Sequence, residues 1–157
     1  MKKIVINACY GGFSLSPLAV QQVAARKGRN CYFYESADRK TYRRIALDDI
    51  DPLRSWRVTM LDIPDAIERG FFQDDNWTAM TQAQRVAYNA LWDKHCLDNR
   101  NVGRDDPDLV AVVEQLGELA NGDHAELKVV KIPDDVEWEI DEYDGFEKVA
   151  EKHRAWG

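Results

Sequence analysis

Apolar and polar residues follow two rhythms along this chain, and each change of rhythm marks an element. Residues 3–9, "KIVINAC", are a short β-branched run ended by Gly11-Gly12, the signature of a buried strand. Leu18, Val20, Val23 and Ala24 then recur at helical spacing. Ser14 or Ser16 can cap that helix, Pro17 suits its first turn and Gly28 its end. "NCYFYES" and "TYRRIAL", joined by "ADRK", predict a β-hairpin, since aromatic and β-branched residues favour strands.

Residues 48–80 are the least regular, with "DDIDPLRSW" as a loop, one short helical turn from Pro64 and "DDNWTAM" as a polar link. Thr81 opens a helix whose apolar stripe is Val86, Ala90 and Leu91, flanked by Ala87 and Cys96. Asp105 or Asp106 with Pro107 opens another, with Leu109, Val112, Val113, Leu116 and Leu119 on its inner face. "AELKVVKIP" reads as a strand. In "DVEWEIDEYDG", Val136, Trp138 and Ile140 alternate with Glu137, Glu139 and Asp141. Asp144-Gly145 signals a turn, after which "FEKVAEKHRAW" runs back with Phe146 and Val149 towards the core. Trp156 is expected to be anchored, in its own domain or in a second copy, which leaves a homodimer open.

Hairpins at both ends and helices in the middle predict an α+β fold, a largely antiparallel sheet with helices packed on one face. The 157 residues fit a single domain, residues 1–157, with an inserted or variable helical region at 50–100. No apolar run approaches the ~20 residues of a membrane span, and Ile4-Val5-Ile6 is too short for a signal segment. The expected location is therefore the cytoplasm.

Charge changes the picture in one respect. Residues 1–58 carry 11 Lys/Arg against 5 Asp/Glu, and residues 59–157 carry 10 against 23. The net charge of −7 thus divides into +6 and −13, which either makes a dipolar surface or cancels on folding. A pI near 5.0 speaks against general nucleic-acid binding.

Candidate chemistry is sparse. In "NACYGGFSLSP", Tyr10, Gly11, Gly12, Ser14 and Ser16 could face an anion at a helix start, or could form only a tight turn. Neither named phosphate-loop pattern is present. Arg39, Lys40, Arg43 and Arg44, interleaved with Tyr32, Tyr34 and Tyr42, could hold phosphates and stack bases, or could protect an edge strand. Glu137, Glu139 and Asp141 lie in a segment with seven carboxylates between residues 134 and 144. They could dock on a basic partner or form a solvated sheet face. No metal-ligand spacing and no cofactor motif is legible, and Cys9, Cys31 and Cys96 form no CxxC pair. An enzyme is the weakest reading, and it would have to use Cys9.

Three stretches, "INACYGGFSLS", "RDDPDLVAVVEQLGELANG" and "LKVVKIPDDVEWEIDEYDGFEKVAEKHRAW", together resemble a family of small proteins encoded by tailed phages and prophages. Residues 50–100 depart from that pattern. The resemblance implies an accessory protein in the host cytoplasm that binds a host or defence protein. Its alternative is a binder of a phosphorylated small molecule such as a signalling nucleotide. It implies no catalytic residue.

Overall fold

A computed structural model of the protein describes residues 1–50, 56–72, 74–97, 101–153 and 156. The fold is α+β, with every strand pairing antiparallel. The chain divides into two compact units: residues 1–23 with 98–157, and residues 24–97.

In the first unit, β1 (Lys2–Asn7) pairs with β5 (Leu127–Ile132), from Lys2 opposite Ile132 to Asn7 opposite Leu127. Ile4, Val5 and Ile6 are buried, as their β-branched run implies. Helix α3 (Pro107–Leu116) packs on β1 and β5 through buried Leu109, Val112 and Val113. Asp106 caps it: Oδ1 accepts from the amides of Asp108 and Leu109 at 2.9 and 3.1 Å, and Pro107 fills the first turn. Gly117, at φ 56°, ends it. Leu119, expected on the inner face, therefore lies beyond the helix and is exposed.

Helix α1 (Pro17–Arg26) starts where the sequence places it, with Gly28 at φ 70° just past its end. Strands β6 (Trp138–Tyr143) and β7 (Phe146–Glu151) form a hairpin around Asp144 and Gly145. Both turn residues have positive φ, 51° and 85°, as a tight two-residue turn of this hand requires. β7 also lies against β1.

One expectation fails here and another is narrowed. Phe146 and Val149 are an odd number of residues apart, so a strand cannot turn both to one face. Glu147 shares the inner face with Val149 and is buried. Trp156 is 89% exposed, so it is not anchored in its own domain, and the alternative of an anchor in a second copy stands. Arg154, which an anchored Trp156 would place at the rim of its groove, lies outside the described residues.

In the second unit, β2 (Cys31–Ser36) is central, between β3 (Arg43–Ile45) and β4 (Trp56–Leu61). The β2–β3 hairpin is the expected one. β4 is an addition to a stretch read as irregular. Val58 and Met60 alternate with Arg57 and Thr59, and Tyr34 pairs opposite Val58. The core gathers Tyr34, Met60, Ile63, Ala66 and Phe71, with Tyr42, Phe72 and Trp92 packed against it.

Helix α2 (Gln82–Lys94) begins at a capping box. Thr81 Oγ1 accepts from the Gln84 backbone amide, and Gln84 Oε1 accepts from the Thr81 backbone amide. Its inner face is not the expected stripe, because Val86 is 60% and Leu91 42% exposed, and Ala87 and Ala90 are exposed too. Tyr88 and Trp92 turn inward instead. Their rings meet each other at 6.0 Å, and Trp92 meets Phe71 and Phe72 at 5.8 and 5.9 Å. Aromatic side chains remove more apolar area from water than Val or Ala, and they set the helix rotation.

Candidate functional site

The glycine loop after β1 is built from below by Asn7, which is fully buried. Its side-chain amide donates to the carbonyls of Cys9 and Gly145, each at 2.7 Å, and its Oδ1 accepts from the Glu126 amide at 2.8 Å. Its backbone amide donates to Glu147 Oε2 at 2.8 Å. Arg104 closes on the same carboxylate with two bonds of 2.7 Å, and its guanidinium lies 3.5 Å over the Phe13 ring. This buried charge pair is satisfied on both sides, the condition under which such a pair persists.

The two glycines answer different needs, close packing at Gly11 and a left-handed backbone at Gly12. A Cβ on Gly11 would overlap the His124 carbonyl, and Gly12 has φ 89°. A Cβ on Gly145 would stand 2.6 Å from the Gly12 nitrogen and 2.8 Å from the Tyr10 oxygen. The loop and the hairpin turn are therefore in backbone contact. Ser16 Oγ accepts from the Ala19 amide at 3.1 Å and donates to the Leu119 carbonyl at 2.6 Å, so its hydroxyl is spent on capping. The Ser14 carbonyl accepts from Gly122, whose Cα faces the Ser14 side chain with no room for a Cβ. The Cys9 thiol donates towards the His124 carbonyl at 3.2 Å and Asn7 Oδ1 at 3.3 Å.

Above this support lies a cleft of about 390 Å³, lined by Tyr10, Asp141, Tyr143, Phe146 and Lys148. The pairing of β6 with β7 explains the set. Asp141 stands opposite Lys148 and Tyr143 opposite Phe146, so the four share the outward face of the hairpin. Tyr10 reaches over from the glycine loop, its ring 5.4 Å from that of Phe146 at a 39° tilt. Tyr10 and Tyr143 are 67% and 79% exposed. Glu137 and Glu139 continue the same face as an exposed row leading into the cleft. The structure thus joins Tyr10, from the loop candidate, to Asp141, from the acidic candidate. Tyr143, Phe146 and Lys148 were missed by sequence reasoning, although extending the Glu137–Asp141 alternation by two residues reaches Tyr143.

The basic hairpin tip belongs to the second unit. Arg43 is committed to the buried carboxylate of Glu35, with Nε 2.7 Å from Oε1. Arg44 lies 4.8 Å over the Tyr32 ring and donates to the Pro64 carbonyl at 3.3 Å. Arg39 has φ 62°. The Lys40 amide donates to Asp38 Oδ1, which also accepts from Thr41 and Ser36. These bonds hold the Asp38 carboxyl down at about 2. Arg43 and Arg44 are therefore already engaged by protein groups, which leaves a thin footprint for phosphate.

Burial pushes the Cys31 thiol up to about 12, so it stays protonated at neutral pH. Among the described residues, no group of three or more His, Cys, Asp or Glu side chains is placed to hold a metal ion. Among them, too, no helix is long and apolar enough to cross a membrane. Comparison with protein families, with curated proteins and with solved structures returned no match.

Proposed function

We propose that this protein acts by binding, and that it docks a basic surface of a partner protein on the outward face of the β6–β7 hairpin. The observation that carries the reading is the exposed row of Glu137, Glu139 and Asp141, which ends in a cleft with two exposed tyrosines. Aromatic anchors surrounded by charge are the usual make-up of a protein-binding patch. A carboxylate row steers a cationic partner and fixes its register. The hairpin is a rigid platform for this work, because its inner face is pinned to β1 by Glu147 and Arg104. The resemblance to small phage and prophage proteins points to a host or defence protein as the partner.

The test compares the wild-type protein with the triple variant Glu137→Gln, Glu139→Gln, Asp141→Asn in affinity capture from bacterial lysate, followed by binding measurements on the purified partner. The expected result is a partner held by the wild type, weakened at least tenfold in the variant and weakened by added salt. Equal binding by the two proteins overturns the reading. Native mass spectrometry showing a retained nucleotide, unaffected by the triple variant, overturns it in favour of a small-molecule binder.

A further inference from the structure

We propose that the cleft of Tyr10, Tyr143 and Phe146 receives the guanidinium of one partner arginine, with Asp141 as its counter-ion. This rests on the docking reading above and names the chemical group that the site recognises. Two tyrosines held in a cleft with most of their surface in water are a standing cost, which a ligand covering their ring faces would remove. The π faces of the rings are electron-rich, and Asp141 adds a full negative charge at the rim, so the matching group is a cation with a flat apolar face. Guanidinium meets that description better than ammonium, being planar and more weakly hydrated and able to bond a carboxylate with two N–H groups.

The ring geometry sets how the ligand enters. Tyr10 and Phe146 have centroids 5.4 Å apart. A planar group sandwiched between two rings needs about 7 Å, two contacts of ~3.5 Å. The guanidinium therefore stacks on an outer ring face rather than between the pair. Within this chain Arg104 rests on Phe13 in the same manner, at 3.5 Å. Lys148 stands cross-strand from Asp141 and also lines the cleft. A phosphate-bearing ligand is disfavoured, because its charge would meet Asp141 and the Glu137–Glu139 row.

The test uses the full chain, isotope-labelled for NMR, and three short capped peptides: Lys-Arg-Lys, its citrulline counterpart Lys-Cit-Lys, and Lys-Lys-Lys. The arginine peptide is expected to shift the amides of Tyr10, Tyr143 and Phe146 and to bind at least threefold more tightly than the other two. Tyr143→Ala should erase that preference and Tyr143→Phe should keep it. Tyr143 is 79% exposed, so both variants fold. Equal binding of the three peptides, with Tyr143→Ala silent and the triple acidic variant still losing them all, overturns the arginine assignment and leaves the docking reading standing. Peptide binding that survives in the triple acidic variant overturns both.

Discussion

Glu147 is a charged residue where a strand pattern calls for an apolar one. It is 5% exposed and accepts from Arg104 twice and from the Asn7 amide once. Burying such a pair contributes little net stability, but losing one partner strands the other charge in the interior. Glu147→Ala is therefore expected to cost about 3–5 kcal/mol, read as a shift in the chemical-denaturation midpoint. A cost under 1 kcal/mol would show that the pair is not buried in solution. Asp38 works differently, because its carboxylate is bonded at the surface of a turn. Its folded value lies at about 2 against an ordinary 3.8. A depressed acid stabilises the fold above its unfolded value and loses that contribution as pH falls through the folded one. The Asp38 part of the stability is thus complete above pH 3.8 and fades towards about 2. Carboxyl-carbon NMR titration should show Asp38 titrating well below the ordinary 3.8, at about 2, and the Asp38→Asn variant should have a flatter acid limb.

At the scale of elements, the capping chemistry carried most of the legible information. Ser14 or Ser16 with Pro17, Asp105 or Asp106 with Pro107, Thr81, and Asp144-Gly145 each marked a boundary that the structure keeps, with Ser16 and Asp106 as the caps used. Such marks are legible because they are local: the side chain bonds a backbone group two or three residues away. The rotation of α2 was not legible. Its helical spacing allows two stripes, one through Val86 and Leu91 and one through Tyr88 and Trp92, and the choice depends on Phe71 and Phe72 from another part of the chain. Trp92→Ala should therefore cost about 3 kcal/mol or more, while Val86→Ala should stay within about 0.5 kcal/mol, both by thermal or urea unfolding. The reverse ranking would restore the first stripe. The candidate site was half legible for the same reason. Glu137, Glu139 and Asp141 follow from alternation alone, but their union with Tyr10 needs the contact of the Tyr10 and Gly12 backbones with Gly145.

Across the whole molecule, charge sorts by unit. Residues 1–23 with 98–157 hold 9 Lys/Arg against 17 Asp/Glu, and residues 24–97 hold 12 against 11. The first unit is thus at −8 and the second at +1, so the acidity belongs to the unit that carries the cleft. Trp156 is 89% exposed and His153 is exposed, so neither side chain adds to a core. Deleting residues 153–157 should leave the melting temperature within about 1 °C, since the His153 and Trp156 side chains it removes are exposed. A fall of several degrees would show that Trp156 is anchored after all.

The pairing of β1 with β5 has a consequence for synthesis. Asn7 meets Leu127 and Lys2 meets Ile132, so the partner of the first strand is made 120 to 130 residues later. At ~5–20 residues per second, β1 waits on the order of 6–25 s on the ribosome with its buried residues Ile4, Val5 and Ile6 uncovered. Residues 24–97 are complete in sequence well before that and make their sheet entirely among themselves. The nascent chain therefore matures from its middle outward, and its exposed first strand is a segment for a chaperone to guard until the tail arrives.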